Sequence, residues 1–594
     1  MALAPSAMLA QLLLVLACLA SCSLHGKCDG DEHGSACEDE ASLARVSLLQ
    51  RDVRSKQSME FVEGTRLQAS PVTSDYKRPK DAPTLPLLAP AYRGLSECDE
   101  APCSEQVHIQ LGGPGEMVVV FASNYSTRTS SAVTYWRRGA KHDKKVAQGN
   151  YRTYSAQYYF TSNWIWGESP MGPGPNGTQP TVEDIAEQLS SDDWAYYGND
   201  TERHVPHIWK KRDADWVSEN IKYPGMFGDY WNPKQAYESP QIHSVSISGL
   251  LAGVTYEYQV ANLRTVFFFT MPKFDNTDFD VAYPLTLGIF SDVGQTRVSL
   301  DSIAAMKKLK PDVALIAGDL SYADGYYPRW DSFGNMIQSL SAYIPIMTCP
   351  GNHEYGYGEN FQSYNIRYPM PYRQSGSPNP NFWSRDMGPV HVISMNSYAA
   401  THYGSEQREW MVHDLSSVDR QRTPWVIVMM HVPWYNSNIH HLMEGKVMRD
   451  NMEDTFFQHN VNLVIAGHVH AFEATHPLYK NATNRCGPTY LTTGDSGNYE
   501  GINLDWLDGD AAGEAPSWTA FRQSSFGVGT LTVESRRKLR YIWRRNYCYD
   551  EDGQTPDYSK DCATDDDNSE HAHRHEYAVT IFNSLDDPSC SLAK

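Results

Sequence analysis

An apolar run ends abruptly in polar residues in the stretch Val313-Ala-Leu-Ile-Ala-Gly-Asp-Leu-Ser-Tyr322. Residues 313–317 have the length and composition of a buried β-strand, and Asp319 follows them after a single glycine. An isolated charge buried at the end of such a strand costs several kcal/mol unless it is solvated, paired or bound to a metal. The stretch therefore predicts a strand that delivers a charged group to a polar site.

The same pattern recurs at four other apolar runs, at residues 285–290, 344–348, 425–430 and 463–466. Helical patterns such as 299–310 and 405–415 lie between the runs. Strands that alternate with helices predict an α/β domain, whose ligands gather where the strands meet their following loops. The polar residues in those loops are Asp292, Asp319, Tyr322, Asn352, His353, His431, His468 and His470.

The side chains in these loops have the chemistry of a metal site. Carboxylate, phenolate, amide and imidazole groups suit iron, zinc or manganese better than copper(I). Each motif alone has a plainer explanation: Gly-Asp is common in turns, Gly-Asn-His-Glu can cap a helix, and His-x-His can show alternate faces of one strand. All five motifs together, each closing an apolar strand, favour a metal site. Four glycines would let the backbone turn sharply beside the ions, namely Gly294, Gly318, Gly351 and Gly467.

Short strand patterns dominate the region before residue 283. They lie at 107–111, 116–121, 132–136, 243–247, 255–260 and 266–270, separated by Gly, Pro and Ser. This spacing predicts a small β-sandwich. A segment rich in Trp and Tyr, at about 160–236, interrupts the pattern and is interpreted as an insertion of unassigned role.

Length and charge limit the function classes. A chain of 594 residues predicts two or three domains, and its formal net charge of −21 argues against a nucleic-acid partner. An anionic phosphate substrate stays compatible with this charge because bound cations invert the local field.

The first residues predict entry into the secretory pathway. An apolar core at residues 9–20, followed by small residues, is typical of a signal peptide at 1–22, and no later apolar run is long enough to span a membrane. Four glycosylation sequons agree with this route, at Asn124, Asn176, Asn199 and Asn481. We expect a secreted or vacuolar protein, with disulfides proposed for Cys28–Cys37, Cys98–Cys103 and Cys548–Cys562 and a buried free thiol at Cys349.

Taken in order, the motifs resemble those of metallophosphoesterases, and Tyr322 within Gly-Asp-x-x-Tyr resembles the mark of the purple acid phosphatases. The resemblance covers about 104–546 and is most specific across 283–473. It departs from many relatives at Ser291 and Ala474, which flank ligands. The other matches are Trp330-Asp-Ser-Phe-Gly, Gln407-x-x-Trp410, Tyr435-Asn-Ser-Asn-Ile-His-His441, His441-Leu-Met-Glu-Gly-Lys446 and Cys486-Gly-Pro-Thr-Tyr490.

The resemblance implies a fold and a domain order. The catalytic domain would be α/β (α+β), with two mixed β-sheets sandwiched by helices, preceded by an all-β fibronectin-III-like sandwich. We predict a signal peptide at 1–22, a disordered leader at 23–95, the sandwich at 96–275 with the insertion at about 160–236, the catalytic domain at 276–546 and an acidic tail at 547–594. Three alternating histidines in that tail, His571, His573 and His575, are interpreted as solvated.

The resemblance also implies the site and its cofactors. Asp292, Asp319, Tyr322 and His470 would bind Fe(III), and Asp319 would bridge to a second ion of zinc, manganese or iron(II). Asn352, His431 and His468 would complete the second site. His353, His440 and His441 match the residues that contact the substrate phosphate or assist the leaving group. If protonated, these three imidazoles would offer positive charge and a proton.

The predicted function is a secreted acid phosphatase that hydrolyses small phosphate monoesters with a metal-bound hydroxide as nucleophile and an acidic optimum. Two alternatives stay open: a phosphodiesterase or nucleotide pyrophosphatase using the same site, and an inactive surface glycoprotein that binds a partner. A homodimer is one option for the assembly.

Overall fold

The structure is a computed structural model. It describes residues 103–123, 129–157, 236–273, 283–325, 327–356, 359–498, 500–507, 515–546, 548–549, 556–557, 576–585 and 587–591. The predicted signal peptide, the leader, nearly all of the insertion and the three tail histidines lie outside these residues.

Ten strands form the first region. They are β1 (Glu105–Leu111), β2 (Met117–Ser123), β3 (Ala132–Arg137), β4 (Lys145–Gln148), β5 (Asn150–Arg152), β6 (Ser155–Gln157), β7 (Ala236–Glu238), β8 (Gln241–Ile247), β9 (Thr255–Val260) and β10 (Phe267–Thr270). Two four-stranded antiparallel sheets result, in the orders β1-β2-β8-β5 and β10-β9-β3-β4, and β6 pairs with β7 in a separate ribbon. Val119 of one sheet and Tyr258 of the other belong to one buried cluster, as expected where two sheets share a core.

The second region alternates strands and helices from residue 285 onward. Its first half contains β11 (Leu285–Phe290), α1 (Arg297–Leu309), β12 (Val313–Ile316), α2 (Pro328–Ser341), β13 (Ile346–Thr348), α3 (Asn352–Tyr355), α4 (Gln362–Arg367), β14 (Trp383–Met387), β15 (Val390–Ser394), α5 (Glu406–Ser417) and β16 (Trp425–Met429). Its second half contains α6 (Lys446–Gln458), β17 (Leu463–Ala466), β18 (Phe472–Thr475), β19 (Leu478–Tyr479), β20 (Ala482–Thr483), β21 (Thr489–Thr493), β22 (Thr519–Gln523), β23 (Gly527–Ser535), β24 (Lys538–Arg545), β25 (Cys548–Tyr549), β26 (Pro556–Asp557), β27 (Glu576–Phe582) and α7 (Pro588–Ser591).

Two mixed sheets organise this second region, as predicted. One has six strands in the order β13-β12-β11-β23-β24-β27, and the other has seven in the order β14-β15-β16-β17-β21-β18-β22. The strands β11, β12 and β13 run parallel, as do β15, β16, β17 and β21. Parallel neighbours end at the same edge of a sheet, so the loops after these strands are brought together.

The strand β16 shows how the two sheets are packed. Trp425, Ile427 and Met429 join a buried cluster that includes residues of the six-stranded sheet. Val426 and Val428 point the other way and join a second cluster with residues of α5 and α6. Successive side chains of a strand point to opposite faces, so an uninterrupted apolar run is required where both faces are covered.

The end of the chain corrects one prediction. Residues 547–594 were expected to form a solvated acidic tail, but β27 pairs with β24 over seven residues and forms an edge of the six-stranded sheet. Ile581 is buried, whereas Phe582 is exposed, as expected for a strand with one covered face. Further along, Cys590 forms a disulfide with Cys486. The tail prediction is therefore wrong for this stretch, because a short alternating strand follows the acidic residues.

The remaining cysteines give a mixed outcome. Cys349 is buried and free, as predicted. Cys103 is disulfide-bonded. Its pairing with Cys98 stays a prediction, and so do the pairs Cys28–Cys37 and Cys548–Cys562, because each includes a cysteine outside the described residues. The bond between Cys486 and Cys590 was not predicted.

A buried polar cluster joins the β-sandwich to the second region, and we call it the Arg367 cluster. The Arg367 guanidinium donates to Tyr154 Oη at 3.0 Å and to Gln106 Oε1, Tyr237 Oη and Asp331 Oδ1 at 2.8 Å each. Tyr237 in turn donates to Asp331 Oδ2 at 2.7 Å. The cluster thus fixes the sandwich and the base of the insertion against α2 and α4.

Candidate metal centre

The predicted ligands meet at the carboxyl ends of the parallel strands. Asp292 follows β11, Asp319 follows β12, and His431 and His468 follow β16 and β17. All four side chains are buried, whereas Asn352, at the start of α3, is half-buried. The two sheets therefore contribute to one polar site from opposite sides.

Left-handed backbone conformations turn the chain at these strand ends. The φ angles are +53° at Asp292, +52° at Asp319, +49° at Tyr322 and +70° at His468. Such conformations cost a non-glycine residue about 1–3 kcal/mol each and cluster at functional sites. The surrounding structure imposes them, since Asp292 N, for example, donates to the carbonyl of Gly318 at 3.2 Å.

Three of the four glycines that the sequence singled out leave room for the ligands. A Cβ atom at Gly318 would overlap the His431 imidazole, and one at Gly351 or Gly467 would overlap a carboxylate of Asp319 or Asp292. These positions therefore require the absence of a side chain.

One set of donors contains Asp292, Tyr322 and His470. Tyr322 Oη lies 3.2 Å from Asp292 Oδ1 and 3.1 Å from His470 Nε2, and His470 Nε2 lies 3.5 Å from Asp292 Oδ1. The backbone N–H of His468 donates to both carboxylate oxygens of Asp292, at 3.1 and 3.0 Å. The three donor atoms thus surround one small volume.

A second set contains Asp319, Asn352, His431 and His468. His431 Nε2 lies 3.1 Å from Asp319 Oδ2 and 2.9 Å from Asn352 Oδ1. Asp319, His431 and His468 each present a ligand atom within 4.8 Å of the others. The structure thus brings together all seven side chains that the sequence singled out as ligands.

The orientation of His431 fits a bound cation. Its Nδ1 lies 2.8 Å from the carbonyl oxygen of Ala317, which can only accept, so Nδ1 carries a proton. In the neutral ring, Nε2 then presents a lone pair toward the two acceptor oxygens of Asp319 and Asn352. Three acceptors that converge in this way require a proton or a metal ion between them, and a carbonyl behind the ring is the usual support of a ligating histidine.

Without a metal ion, a proton takes that position: burial alone would lower the pKa of His431, but the carboxylates of Asp319 and Asp292 outweigh it and raise the pKa to about 9. Burial alone would raise the pKa of Asp319, but the imidazoles of His431 and His353 outweigh it and hold that pKa below its usual range. Burial lowers the pKa of His468 to about 4, and the neighbouring His441 adds to the effect. An ionised carboxylate and a neutral imidazole are the forms that bind a metal.

Two of the three predicted phosphate-contacting histidines border the centre. His353 Nδ1 contacts the Asp324 carboxylate, and its Nε2 lies 3.8 Å from Asp319 Oδ2. The His441 ring lies 3.7 Å from the His468 ring, between centroids, and its Nδ1 is 2.9 Å from Glu444 Oε1.

The third, His440, is fixed through its backbone: its N–H donates to Asn438 Oδ1 at 3.0 Å and its carbonyl accepts from Asn436 Nδ2 at 2.8 Å. Burial and the nearby His441 lower the pKa of His440 to about 4, which favours the neutral form. Protonation, the condition on which these imidazoles would offer positive charge and a proton, is therefore not favoured at His440.

Four acidic residues at the site were not predicted to act there. Glu354 accepts from the backbone N–H groups of Asp319, Leu320 and Gly351 at 2.8–2.9 Å, which joins two ligand loops. Glu444 bridges His441 and His468. Only its position three residues after His441 hinted at this. The other two are Asp324 and Glu500, whose carboxylates lie near His353.

The second region matches two known protein families. Residues 285–472 match the family described as calcineurin-like phosphoesterase, and residues 487–558 match iron/zinc purple acid phosphatase-like protein C. The class of protein is therefore the metallophosphoesterases. A solved structure of purple acid phosphatase PPD1 from yellow lupin (Lupinus luteus) seeds has the same fold, with a TM-score of 0.55 and 19% identity over 83% of this chain and 76% of that one.

Curated relatives narrow the class. Purple acid phosphatase 22 of Arabidopsis thaliana is 38% identical over 58% of this chain and 79% of its own length. Purple acid phosphatase 21 of the same plant is 35% identical over 57% of this chain and 74% of its length. A phosphoenolpyruvate phosphatase of Allium cepa is 36% identical over 52% of this chain and 67% of its length. The chain belongs to the purple acid phosphatase family and is an enzyme.

Proposed function

We propose that this enzyme hydrolyses phosphate monoesters at a centre of two metal ions, Fe(III) and a second ion of zinc, manganese or iron(II). The observation that carries the proposal is the convergence of acceptor atoms at His431 Nε2, Asp319 Oδ2 and Asn352 Oδ1. The phosphoenolpyruvate phosphatase among the relatives supports the monoester class, since its named substrate is a monoester.

The two donor sets suggest how the ions are shared. Asp292, Tyr322 and His470 would hold the ferric ion, and Asn352, His431 and His468 would hold the second ion. Asp319 would bridge them. When bound, such a pair of ions polarises a phosphoryl oxygen and lowers the pKa of water, so that hydrolysis proceeds in mild acid.

The chain's own residues would position the substrate. His353 and His441 stand at the centre with one ring nitrogen each held by a carboxylate, from Asp324 and Glu444 respectively. Their orientation is thereby fixed toward the phosphate, which costs no reorganisation during the reaction. His440, which burial favours in its neutral form, would orient the leaving group rather than supply its proton.

Metal analysis with visible spectroscopy tests the assignment. The wild-type enzyme should contain iron and a second metal and should absorb visible light through the Tyr322 phenolate. Tyr322→Phe should lose that absorption, whereas Tyr398→Phe, the matched control, should keep it. Asp319→Asn should reduce hydrolysis of an aryl phosphate by roughly 10³-fold. Full activity in Asp319→Asn would contradict the metal centre, and an active colourless enzyme without iron would contradict the ferric site alone.

We also propose secretion, with a fibronectin-III-like sandwich before the catalytic domain. The disulfide between Cys486 and Cys590 supports an oxidising compartment. The two four-stranded antiparallel sheets support the sandwich.

Asn481 is exposed beside the β19–β20 hairpin and accessible to glycosylation, whereas Asn124, Asn176 and Asn199 lie outside the described residues. Among the described residues, no helix has the length and apolar character needed to cross a membrane. A smaller mobility shift on deglycosylation in Asn481→Gln than in the wild type would test the modification.

A further inference from the structure

An exposed aromatic surface lies next to the candidate metal centre. Tyr355, the last residue of α3, has 45% of its surface exposed. Its ring stacks on that of Tyr398, with centroids 5.6 Å apart and planes 7° from parallel. Phe361 contacts the Tyr355 ring with centroids 5.2 Å apart. We call the pair Tyr355 and Tyr398 the aromatic shelf.

The shelf is attached to the centre at two points. Tyr355 lies three residues after Asn352 in the same short helix, so the backbone joins them within one turn. Tyr398 Oη donates to Asn352 Oδ1 at 3.3 Å, and its ring centroid lies 6.4 Å from that of His431. The row of rings from His431 through Tyr398 to Tyr355 therefore leads from a predicted ligand to solvent.

Another part of the border of the candidate metal centre is ionic. Glu500 Oε1 lies 3.6 Å from His353 Nε2, and Glu500 Oε2 lies 3.8 Å from His470 Nε2. Glu444 contacts His441 and His468. An uncharged ring would have to displace solvated charges there, whereas the shelf offers an apolar face that is already partly freed from water. Ring orientation at the shelf is set in advance by the stack, so binding requires little further ordering.

We propose that the aromatic shelf is a leaving-group subsite that binds the planar ring of aryl or nucleoside monophosphates. This inference rests on the proposed function, since it assigns the part of the substrate that extends away from the phosphate. A ring stacked on Tyr355 should contribute a factor of about three to ten to kcat/KM for the ring-bearing ester, in line with the energy of aromatic pairs, and this factor is lost when the shelf is removed. The shelf thus sets a preference among monoesters without taking part in bond cleavage.

The test compares kcat/KM for phenyl phosphate and for β-glycerophosphate in the full-length, metal-loaded enzyme. Tyr355→Ala should lower the ratio of the two values three- to tenfold, and Tyr355→Phe should preserve it. Phe582→Ala is the matched control, because Phe582 is also an exposed aromatic residue but lies on the edge strand β27. Its ratio should equal that of the wild type.

Two outcomes would overturn the inference. The first is an unchanged ratio in Tyr355→Ala, with both esters hydrolysed as in the wild type. The second is an unchanged ratio in Tyr355→Leu. This variant replaces Tyr355→Ala if the latter fails to fold, because it keeps an apolar side chain but removes the planar face. A wild-type enzyme that hydrolyses neither ester would contradict the proposed function itself, so the two failures are distinguishable.

Discussion

The candidate metal centre and the Arg367 cluster are both buried, both polar and both built from residues far apart in sequence, yet they differ in how their charges are balanced. Arg367 donates to four acceptors at 2.8–3.0 Å, and Asp331 receives three of the cluster's hydrogen bonds. The centre instead gathers carboxylates and imidazoles around a common volume. The Arg367 cluster contains its own cation, whereas the acceptors of the centre need a proton or a metal ion between them.

This difference separates a structural from a functional polar cluster better than burial or composition does. An unpaired buried charge costs several kcal/mol. A folded protein therefore keeps such a charge only where other interactions offset that cost or where a ligand supplies the opposite charge. The acceptors that converge at His431 leave a position for a proton or a metal ion, whereas the acceptors around Arg367 receive hydrogen bonds from its guanidinium.

Removing the cations should have the largest effect. We expect reduction and chelation to lower hydrolysis of an aryl phosphate by roughly 10³-fold or more, because the charges of the centre lose their partner. The free energy of unfolding should also fall by about 4 kcal/mol, as for a site saturated at a thousand times its Kd. Urea denaturation with and without metal measures this. A metal-free enzyme that unfolds at the same urea concentration would mean that the centre is balanced without ions.

Breaking the Arg367 cluster should act on stability alone. Arg367→Met removes the charge that balances Asp331 and the guanidinium that donates to two buried tyrosines, and should lower the free energy of unfolding by about 3–5 kcal/mol. Metal content and visible absorption should stay at the wild-type level. Arg373→Met removes an exposed arginine and should change stability by less than about 0.5 kcal/mol. Loss of metal in Arg367→Met would show that the two regions are coupled.

A third cluster contains the residue types of the centre but uses a proton. His391 lies between two carboxylates, with Nδ1 2.7 Å from Asp386 Oδ1 and Nε2 2.9 Å from Asp414 Oδ2. Burial alone would lower the pKa of His391, but hydrogen bonds to Asp386 and Asp414 outweigh it and raise the pKa to about 9. The charged imidazole thus supplies the positive charge that balances the two carboxylates.

The pH dependence of stability tests this cluster. A rise of the pKa from about 6.5 to about 9 corresponds to roughly 3 kcal/mol. Because the folded-state pKa is the higher one, this stabilisation is complete below pH 6.5 and is lost as the pH rises through 9. His391→Gln should be less stable at pH 6 and should lack that decline, as measured by urea denaturation across the range. Parallel pH profiles for the two proteins would rule out the effect.

Replacing His440 should give the smallest change. In the neutral form favoured by its low pKa, this residue is a poor proton donor, so His440→Ala should reduce kcat by only about tenfold, below the 10²–10⁴ typical of a general acid. Metal content should not change. Steady-state kinetics and metal analysis on the same sample decide this, and loss of metal would instead identify His440 as a ligand.

The sequence predicted the architecture well where local pattern and buried position coincide. The strands β11, β12, β16 and β17 are short apolar runs that stop at the predicted polar residue. Because parallel strands end at one edge, the convergence of Asp292, Asp319, His431 and His468 followed from their positions along the chain.

Other features depend on distant pairings that no local pattern reveals. Arg367 meets Gln106 across 261 residues, and Cys486 meets Cys590 across 104. Glu354 and Glu444 lie within recognised motifs, but their partners come from other loops. Their supporting roles could be assigned only after the loops had been placed in three dimensions.

The position of β27 has a consequence for folding during synthesis on the ribosome. The six-stranded sheet begins with β11 at Leu285, which pairs with β23, and its edge is added by residues 576–582. Residues 576–582 must be synthesised before that sheet has all the strands described here, so its apolar strands lack a partner until then. A nascent chain truncated before residue 576 would encode every predicted ligand yet present an uncovered sheet edge to its neighbours.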